Sequence, residues 1–201
     1  MRRFIVTLCA LFSVCTLSAQ TTAREWVDLL NTSLGDRYAF GIKVEVEGDD
    51  NELYGALQVE GDSYHMTLAD MEVYSDGKLR YEINNARKEV TEDRVNLDSR
   101  DLLTNPTRAF DFVDEEFTLE LRFSQNDEVA VVRLTPRDKS LGITTISIAL
   151  VKVKGVVYPY QILYDYDGDM LKITMQPTDE GWKLPRWDED AYRAYDIVSF
   201  L

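Results

Sequence analysis

Residues 53–68 read LYGALQVEGDSYHMTL and contain two alternating runs separated by a turn. Small or apolar residues occupy every second position, first at Leu53, Gly55, Leu57 and Val59 and then at Tyr64, Met66 and Leu68. A period of two is typical of a β-strand with one buried face. Gly61-Asp62 lies between the runs and indicates a tight turn, so the stretch predicts an antiparallel hairpin.

The same period continues on both sides of this hairpin. Upstream, residues 38–47 (YAFGIKVEVE) alternate in the same way, and downstream Asp76-Gly77 is a two-residue hairpin signal. Strand-like runs follow at 117–123, 128–135, 143–153, 156–165 and 169–176, with a candidate closing edge strand at 197–201. The sequence therefore predicts about ten antiparallel strands.

Two segments depart from the period of two. Trp26, Leu29, Leu30 and Leu34 recur at helical spacing over residues 22–34, after Thr21 or Thr22 as N-cap. Residues 97–114 indicate one or two short helical turns that Asn105-Pro106 interrupts. A sheet this wide curls and needs a cover. We therefore predict a mostly β fold, a curved antiparallel sheet forming an incomplete barrel, with the two helical segments as its lid.

The amino terminus predicts export. Arg2 and Arg3 precede an apolar run from Phe4 to Leu17, and Leu17-Ser18-Ala19 supplies small residues before Gln20. This is the pattern of a cleavable signal peptide, and the run is shorter than the roughly 20 residues of a membrane-spanning helix. Residues 1–19 are thus the expected signal, and residues 20–201 a single domain in the periplasm. Lipidation of Cys15 is an alternative, but Phe12-Ser13-Val14 is a poor approach to a lipidated cysteine.

The composition argues against several classes of function. The net charge is −14 at pH 7, so the chain repels phosphate backbones and nucleic acid is not an expected partner. The two cysteines, Cys9 and Cys15, lie inside the predicted signal. His65 is the single histidine, on the polar side of its strand, and we interpret it as structural. Catalytic triads and zinc sites built on these residue types are therefore not expected.

Acidic residues do not form a distinctive site either. The stretch Asp165 to Asp169 (DYDGD) resembles the start of a calcium loop, but its glycine stands fourth and Gln176 occupies position twelve. A hairpin tip explains it more simply. A glycan hydrolase of the envelope would need two carboxylates across a cleft, and no motif points to such a pair. We therefore expect a protein that is not an enzyme and uses no cofactor or metal.

The large side chains of one strand face fit two kinds of interior. One is an ordinary packed core, and the other is an apolar cavity for lipid beneath a loose lid. In the second interpretation the cavity residues are Phe40, Ile42, Val44, Leu57, Val59, Tyr64, Met66, Leu68, Tyr81, Phe117, Leu119 and Phe123. The lid residues are Trp26, Leu30, Leu34, Leu102, Phe110 and Val113. Periodicity alone leaves both interpretations open.

The order of motifs resembles the LolA-like carriers of outer-membrane lipoproteins. Residues 55–64 (GALQVEGDSY), 72–78 (EVYSDGK) and Glu89-Val90 carry the likeness, within an order of signal, helix, strands, broken helical insert and further strands. The resemblance implies a half-barrel whose apolar face binds lipoprotein acyl chains and carries them towards the outer membrane. It also implies a monomer that contacts membranes only peripherally and meets an inner-membrane donor and an outer-membrane acceptor.

One position departs from the family. In well-known members the glycine-initiated strand ends in Arg-Pro, and the arginine holds the lid closed; Gly61-Asp62 stands there in this chain. We therefore expect a lid held differently, with Arg37, Lys43 and Arg108 as candidates. The alternative function is an adaptor that senses lipid or lipoprotein with the same cavity.

Overall fold

The computed structural model describes residues 21–112, 114–178 and 181–201. The predicted signal peptide, both cysteines, Gln20 and the predicted lid residue Val113 lie outside the described residues. Within these ranges no helix is long and apolar enough to cross a membrane.

Helix α1 spans Ala23–Leu34 and begins at a capping box. The Glu25 N–H donates to the Thr22 hydroxyl, and the Thr22 N–H donates to the Glu25 carboxylate, so two otherwise unpaired amide groups are satisfied. Gly35 ends the helix at φ 56°, a conformation that favours glycine. Its buried face consists of Trp26, Val27, Leu30 and Leu34, as the helical spacing predicts, with Val27 in addition.

Twelve strands of the described residues form one sheet, against about ten predicted. They are β1 (Arg37–Val46), β2 (Glu52–Glu60), β3 (Ser63–Leu68), β4 (Met71–Ser75), β5 (Leu79–Asn84), β6 (Glu89–Arg94), β7 (Phe117–Gln125), β8 (Val129–Pro136), β9 (Thr145–Val153), β10 (Val156–Tyr166), β11 (Asp169–Pro177) and β12 (Asp196–Ser199). Short 3₁₀ turns lie at Pro106–Arg108, Lys139–Leu141 and Glu189–Tyr192.

The sheet is open, in the order β12-β6-β5-β4-β3-β2-β1-β11-β10-β9-β8-β7. Two antiparallel meanders, β1–β6 and β7–β11, meet in the middle where β1 pairs with β11. Only β12 is parallel to its neighbour, β6, among the described strands. The mostly β, incompletely closed barrel predicted from the sequence is therefore confirmed.

The insert between the meanders contains one short helical turn, in agreement with the one or two that the sequence pattern indicates, although Asn105-Pro106 begins this turn and does not interrupt it. Residues 97–112, here called the lid loop, contain a single 3₁₀ turn at Pro106–Arg108, and the rest is irregular. Asn105 is the N-cap of this turn, and Pro106 follows it at the first helical position, where proline is favoured.

The outer face of the sheet carries the C-terminal segment, residues 182–199. The Trp187 ring stacks between Tyr81 and Tyr192, at centroid distances of 4.4 and 5.0 Å. Ile83 and Val90 lie on the same face as Tyr81 in the strand register and are fully buried. They do not belong to the core on the other face. The segment thus forms a second, smaller packed layer and ends as strand β12.

Candidate functional site

The inner face of the sheet is covered by two separate segments. Helix α1 packs on β10, β7 and β8, whereas the 3₁₀ turn of the lid loop contacts β2 and β3. The Ser33 hydroxyl accepts a hydrogen bond of 2.9 Å from the Val157 N–H and so joins the helix to β10. Helix α1 therefore covers the C-terminal meander, and the 3₁₀ turn of the lid loop covers the N-terminal one.

Most of the predicted cavity residues lie together under this cover. One continuous apolar cluster contains Phe40, Ile42, Val44, Leu57, Val59, Tyr64, Met66 and Phe117, together with Trp26, Leu30, Leu34, Leu102 and Phe110 of the cover. Leu68 and Leu119 are partly buried and pack against the cluster. The alternation of the strands thus predicted this face correctly for β1, β2, β3 and the first half of β7.

Tyr81 is a correction, because it lies on the outer face. Tyr64 is opposite Ser75, and Ser75 is opposite Arg80, so the inner face of β5 carries Arg80 and Glu82. Leu79, Tyr81 and Ile83 alternate as predicted, but their shared face points away from the lid and meets the C-terminal segment. The inner apolar surface therefore ends at β4.

Phe123 is a second correction. The register of β7 against β8 shifts between Leu121 and Phe123, because Arg122 is an extra residue in a β-bulge. A bulge reverses which face the following side chains occupy. Leu119, before the bulge, therefore lies inside, whereas Phe123, after it, lies outside and is 49% exposed.

Several residues of the interior were not among the predicted site residues. The C-terminal meander contributes Val132, Leu134, Ile146, Ile148, Leu150, Ile162, Tyr164, Ile173 and Met175, and the cover adds Val27, Ala109 and Phe112. The same alternation in residues 129–176 identifies the strand members. The cover residues follow no short period, because most of the lid loop is irregular.

The cover fills the interior with its own side chains. Trp26, Leu30 and Leu102 are fully buried in the same cluster as the strands. The structure is therefore a closed form with a packed core, rather than the loosely covered cavity of the second interpretation. A cleft of about 300 Å³ lies between the end of α1 and the lid loop, lined by Asn31, Leu34, Gly35, Tyr38, Thr107, Phe110 and Asp111.

A buried arginine organises the lid loop from within. The Arg100 side chain is 3% exposed and donates from Nε to the Asp111 carbonyl at 3.1 Å. Its Nη1 donates to the Leu97 carbonyl at 3.3 Å, and its Nη2 donates to the Glu116 carboxylate. The guanidinium therefore joins the two ends of the loop. These fixed acceptors replace the water molecules that would otherwise hydrate the buried charge.

The sheet holds the lid loop through four tyrosines, here called the latch tyrosines: Tyr38, Tyr64, Tyr164 and Tyr166. The Tyr38 hydroxyl donates to the Pro106 carbonyl at 2.9 Å, and the Tyr64 hydroxyl donates to the Thr104 carbonyl at 3.4 Å. Every latch tyrosine lies on the inner face in the strand register, on β1, β3 or β10.

The two tyrosines of β10 hold the beginning of the loop. The Tyr164 hydroxyl donates to the Arg100 carbonyl at 3.2 Å and accepts from the Leu102 N–H at 3.0 Å. The Tyr166 hydroxyl donates to the Asp101 carboxylate. Burial raises the pKa of Tyr164 and of Tyr166 well above the ordinary value, so both phenols remain protonated donors at neutral pH.

The arginine and lysine residues predicted to hold the lid closed do not all contact the lid loop. Arg108 belongs to the lid loop and donates to the Leu97 carbonyl at 2.7 Å. Arg37 instead lies over the Trp182 ring at 4.2 Å, and Lys43 pairs with Glu45 and Glu52. Arg37 and Lys43 are therefore not part of the lid contacts, because their positions in β1 belong to the outer face. The sequence predicted Tyr64 as a cavity residue, but not the hydrogen bonds of the four tyrosines to the lid loop, since their partners belong to an irregular loop.

The polar residues singled out from the sequence have structural partners. The His65 ring lies 2.8 Å from the Glu72 carboxylate, on the outer face. Asp165 accepts from the Gly168 N–H at 2.8 Å in the turn between β10 and β11, as a hairpin tip requires. Within the described parts of the chain, no group of three or more His, Cys, Asp or Glu side chains is placed to hold a metal ion.

Comparison with known proteins gives relatives in fold and none in sequence. None of the family models and none of the curated proteins compared with the chain matches it. Among solved structures, an uncharacterized conserved protein from Thermus thermophilus is similar, with a TM-score of 0.51 and 12% identity over 88% of this chain and 98% of that one. The open, mostly β sheet of this chain agrees with the half-barrel predicted from the sequence.

Two further similar structures have names that refer to lipoproteins or to the LolA superfamily. A LolA superfamily protein from Nitrosomonas europaea has a TM-score of 0.40 and 11% identity, over 86% of this chain and 98% of that chain. An outer membrane lipoprotein-sorting protein domain from Vibrio parahaemolyticus has a TM-score of 0.42 and 10% identity, over 86% and 97%. Similarity at such low sequence identity is a similarity of fold alone.

Proposed function

We propose that this protein is a periplasmic chaperone that binds lipoprotein acyl chains between its inner sheet face and its cover and carries them towards the outer membrane. The observation that carries the proposal is the way the inner face is covered. Strands do not close over it; a helix and an irregular loop do, and the sheet holds that loop through side-chain hydrogen bonds. Such a cover opens without breaking the sheet.

The binding mode is a replacement of cover side chains by acyl chains. Leu102, Phe110 and Phe112 occupy the inner face in the closed form and are apolar, as alkyl chains are. Each methylene that leaves water is stabilised by about 0.8 kcal/mol, so a long acyl chain gains enough to displace a few loop residues. The cleft beside Tyr38 and Phe110 is the proposed point of entry.

The proposed cycle needs no covalent chemistry and no cofactor. The protein works as a monomer, receives its cargo from an inner-membrane donor and yields it to an outer-membrane acceptor, with peripheral membrane contact at each end. Its strong negative charge favours dissociation from anionic membrane surfaces after each exchange. The expected signal peptide supplies the route to this compartment.

The test is uptake of acyl ligands by purified residues 20–201. We expect saturable binding of a fluorescent fatty acyl probe, displaced by a triacylated lipopeptide, and co-purification of several lipoproteins from envelope extracts. The variant Tyr160→Phe, at an exposed position, is a matched control that should bind as the wild type does. Absence of probe and lipopeptide binding would exclude the carrier function. Recovery of one stable partner would favour the sensing adaptor.

A further inference from the structure

Besides its apolar side chains, the inner face carries several hydroxyl groups. The hydrogen-bond partners of these hydroxyls all lie in one segment of the lid loop. The latch tyrosines come from three strands, yet all their partners lie in residues 100–106 of the lid loop. Tyr64 and Tyr164 are 1% and 0% exposed, so water does not reach them in the closed form. A buried tyrosine hydroxyl needs a hydrogen-bond partner.

Opening the lid loop removes these partners together. Hydroxyls that stay in an apolar surrounding without partners destabilise the open form, because their lost interactions with water are not replaced. Bare hydrocarbon cannot replace the carbonyls of Arg100, Thr104 and Pro106. The carbonyl oxygen of an ester or amide can, because it is the same kind of acceptor as the loop carbonyls.

The charges around these hydroxyls favour a neutral acceptor. Three of the four hydroxyls donate to neutral backbone carbonyls in the closed form, and the Asp101 carboxylate beside Tyr166 leaves with the lid loop. Arg80 lies on the inner face near the end of the apolar surface, but it is paired with Glu82 at 2.7 Å. A neutral ester or amide carbonyl therefore fits this part of the face better than an anion does.

Tyr164 and Tyr166 are the pair best placed to bind two carbonyls at once. They are two positions apart on β10, and their rings stack at 6.1 Å and 23°. Their hydroxyls reach consecutive residues of the loop, at Arg100, Asp101 and Leu102. Two ester groups attached to neighbouring carbon atoms, as in a diacylglyceryl group, would offer their carbonyl oxygens to these two hydroxyls.

We propose that the latch tyrosines transfer their hydrogen bonds from the lid loop to the carbonyl oxygens of the ligand, so that the site selects acyl chains in ester or amide linkage over bare alkyl chains. This inference rests on the proposed acyl-binding function and defines the chemical group that is recognised. Lid displacement and ligand recognition then use the same hydroxyls.

The experiment compares a diacylglycerol with a dialkyl ether of equal chain length, which lacks the carbonyls. Wild-type protein should bind the ester lipid about five-fold to twenty-fold more tightly, the effect of one or two net hydrogen bonds. In Tyr164→Phe/Tyr166→Phe the ester-to-ether affinity ratio should approach one. Tyr160→Phe should keep the wild-type ratio. A looser lid changes the affinities for the ester lipid and the ether lipid equally. The ratio of the two affinities therefore measures recognition of the carbonyl groups and not the stability of the lid.

The outcomes separate this inference from the proposed function. Equal wild-type affinity for both lipids, or an unchanged ratio in the double variant, would overturn the inference and leave acyl binding intact. Failure of wild-type protein to bind either lipid would overturn the proposed function as well. If the double variant does not fold, Tyr166→Phe alone, at a half-buried position, should lower the ratio about five-fold, and an unchanged ratio there would overturn the inference.

Discussion

At the scale of single residues, the surroundings of Gly55 show why the fourth residue of β2 has no side chain. A β-carbon on Gly55 would lie 1.8 Å from the Thr67 carbonyl oxygen on β3, and 2.7 Å from the Thr67 carbonyl carbon. Both are backbone atoms, so no side-chain rotation relieves the overlap. Glycine at this position thus permits the close approach of β2 and β3.

We expect Gly55→Ala to lower the free energy of unfolding by about 3 kcal/mol, because the β2–β3 ladder has to separate. Gly41→Ala is the matched control, since the nearest atom to its β-carbon would be the Gln176 carbonyl oxygen at 3.9 Å. That change should stay within about 1 kcal/mol of the wild type. Urea denaturation followed by circular dichroism measures both. Equal effects of the two substitutions would contradict the steric explanation.

At the scale of elements, one carboxylate contributes hydrogen bonds that hold the C-terminal segment on the sheet. Glu72 accepts hydrogen bonds from the Tyr74 hydroxyl at 2.7 Å and the Tyr192 hydroxyl at 2.8 Å, and it lies beside His65. Partial burial raises the pKa of Glu72, but the hydrogen bonds from Tyr74, His65 and Tyr192 outweigh it, so its pKa lies below the ordinary value. The carboxylate form thus holds the segment on the outer face.

The pH dependence follows from the direction of this shift. A lowered pKa contributes stability that is present above the ordinary carboxyl pKa and is lost as the pH falls through the lowered one. We expect hydrogen exchange of residues 187–199 to increase as the pH falls below about 4, after correction for the intrinsic exchange rate. Glu72→Gln should raise exchange there at neutral pH and remove the acid dependence. An acid response that persists in Glu72→Gln would show that another group is responsible.

The elements could be predicted from the sequence wherever one face is apolar and the other polar. β1, β2 and β3 have this alternation, and their bounds and buried face were predicted well. β6 reads EVTEDR and has no local signal that distinguishes it. β12 coincides with the candidate edge strand predicted at 197–201, but its parallel pairing with β6, a strand distant in sequence, is not contained in a local pattern. The faces of Tyr81 and Phe123 depend on strand register and on a bulge, which periodicity does not contain.

At the scale of the whole molecule, the proposed function makes the cover and an acyl chain compete for one surface. Leu102 is fully buried at the centre of this competition, because the Tyr164 hydroxyl holds its backbone N–H. The sequence predicted that Leu102 belongs to the lid. It did not predict how deeply the side chain is buried, since contacts with β10 determine that burial. Substitutions in the cover should therefore affect stability and ligand binding in opposite directions.

We expect Leu102→Ala to lower the free energy of unfolding by about 3 kcal/mol and at the same time to strengthen acyl-probe binding, because the cover competes less well. Ile83→Ala is the matched control: Ile83 is fully buried, but on the outer face. It should lose similar stability without a gain in probe affinity. Thermal unfolding and probe titration measure the two effects. Weaker probe binding by Leu102→Ala than by Ile83→Ala would contradict the competition.

The pairing of β1 with β11 has a consequence for the order of folding. Within each meander the neighbouring strands are joined by short connections, and such hairpins form on the microsecond timescale. The β1–β11 ladder instead joins residues such as Val44 and Ile173, whose contact requires closure of a long loop of chain. Since the lid loop connects the two meanders, its anchoring to Tyr64 on one and Tyr164 on the other has to wait for that central ladder. We therefore expect the lid loop, which we propose to admit acyl chains, to become ordered only after the central ladder has formed during refolding.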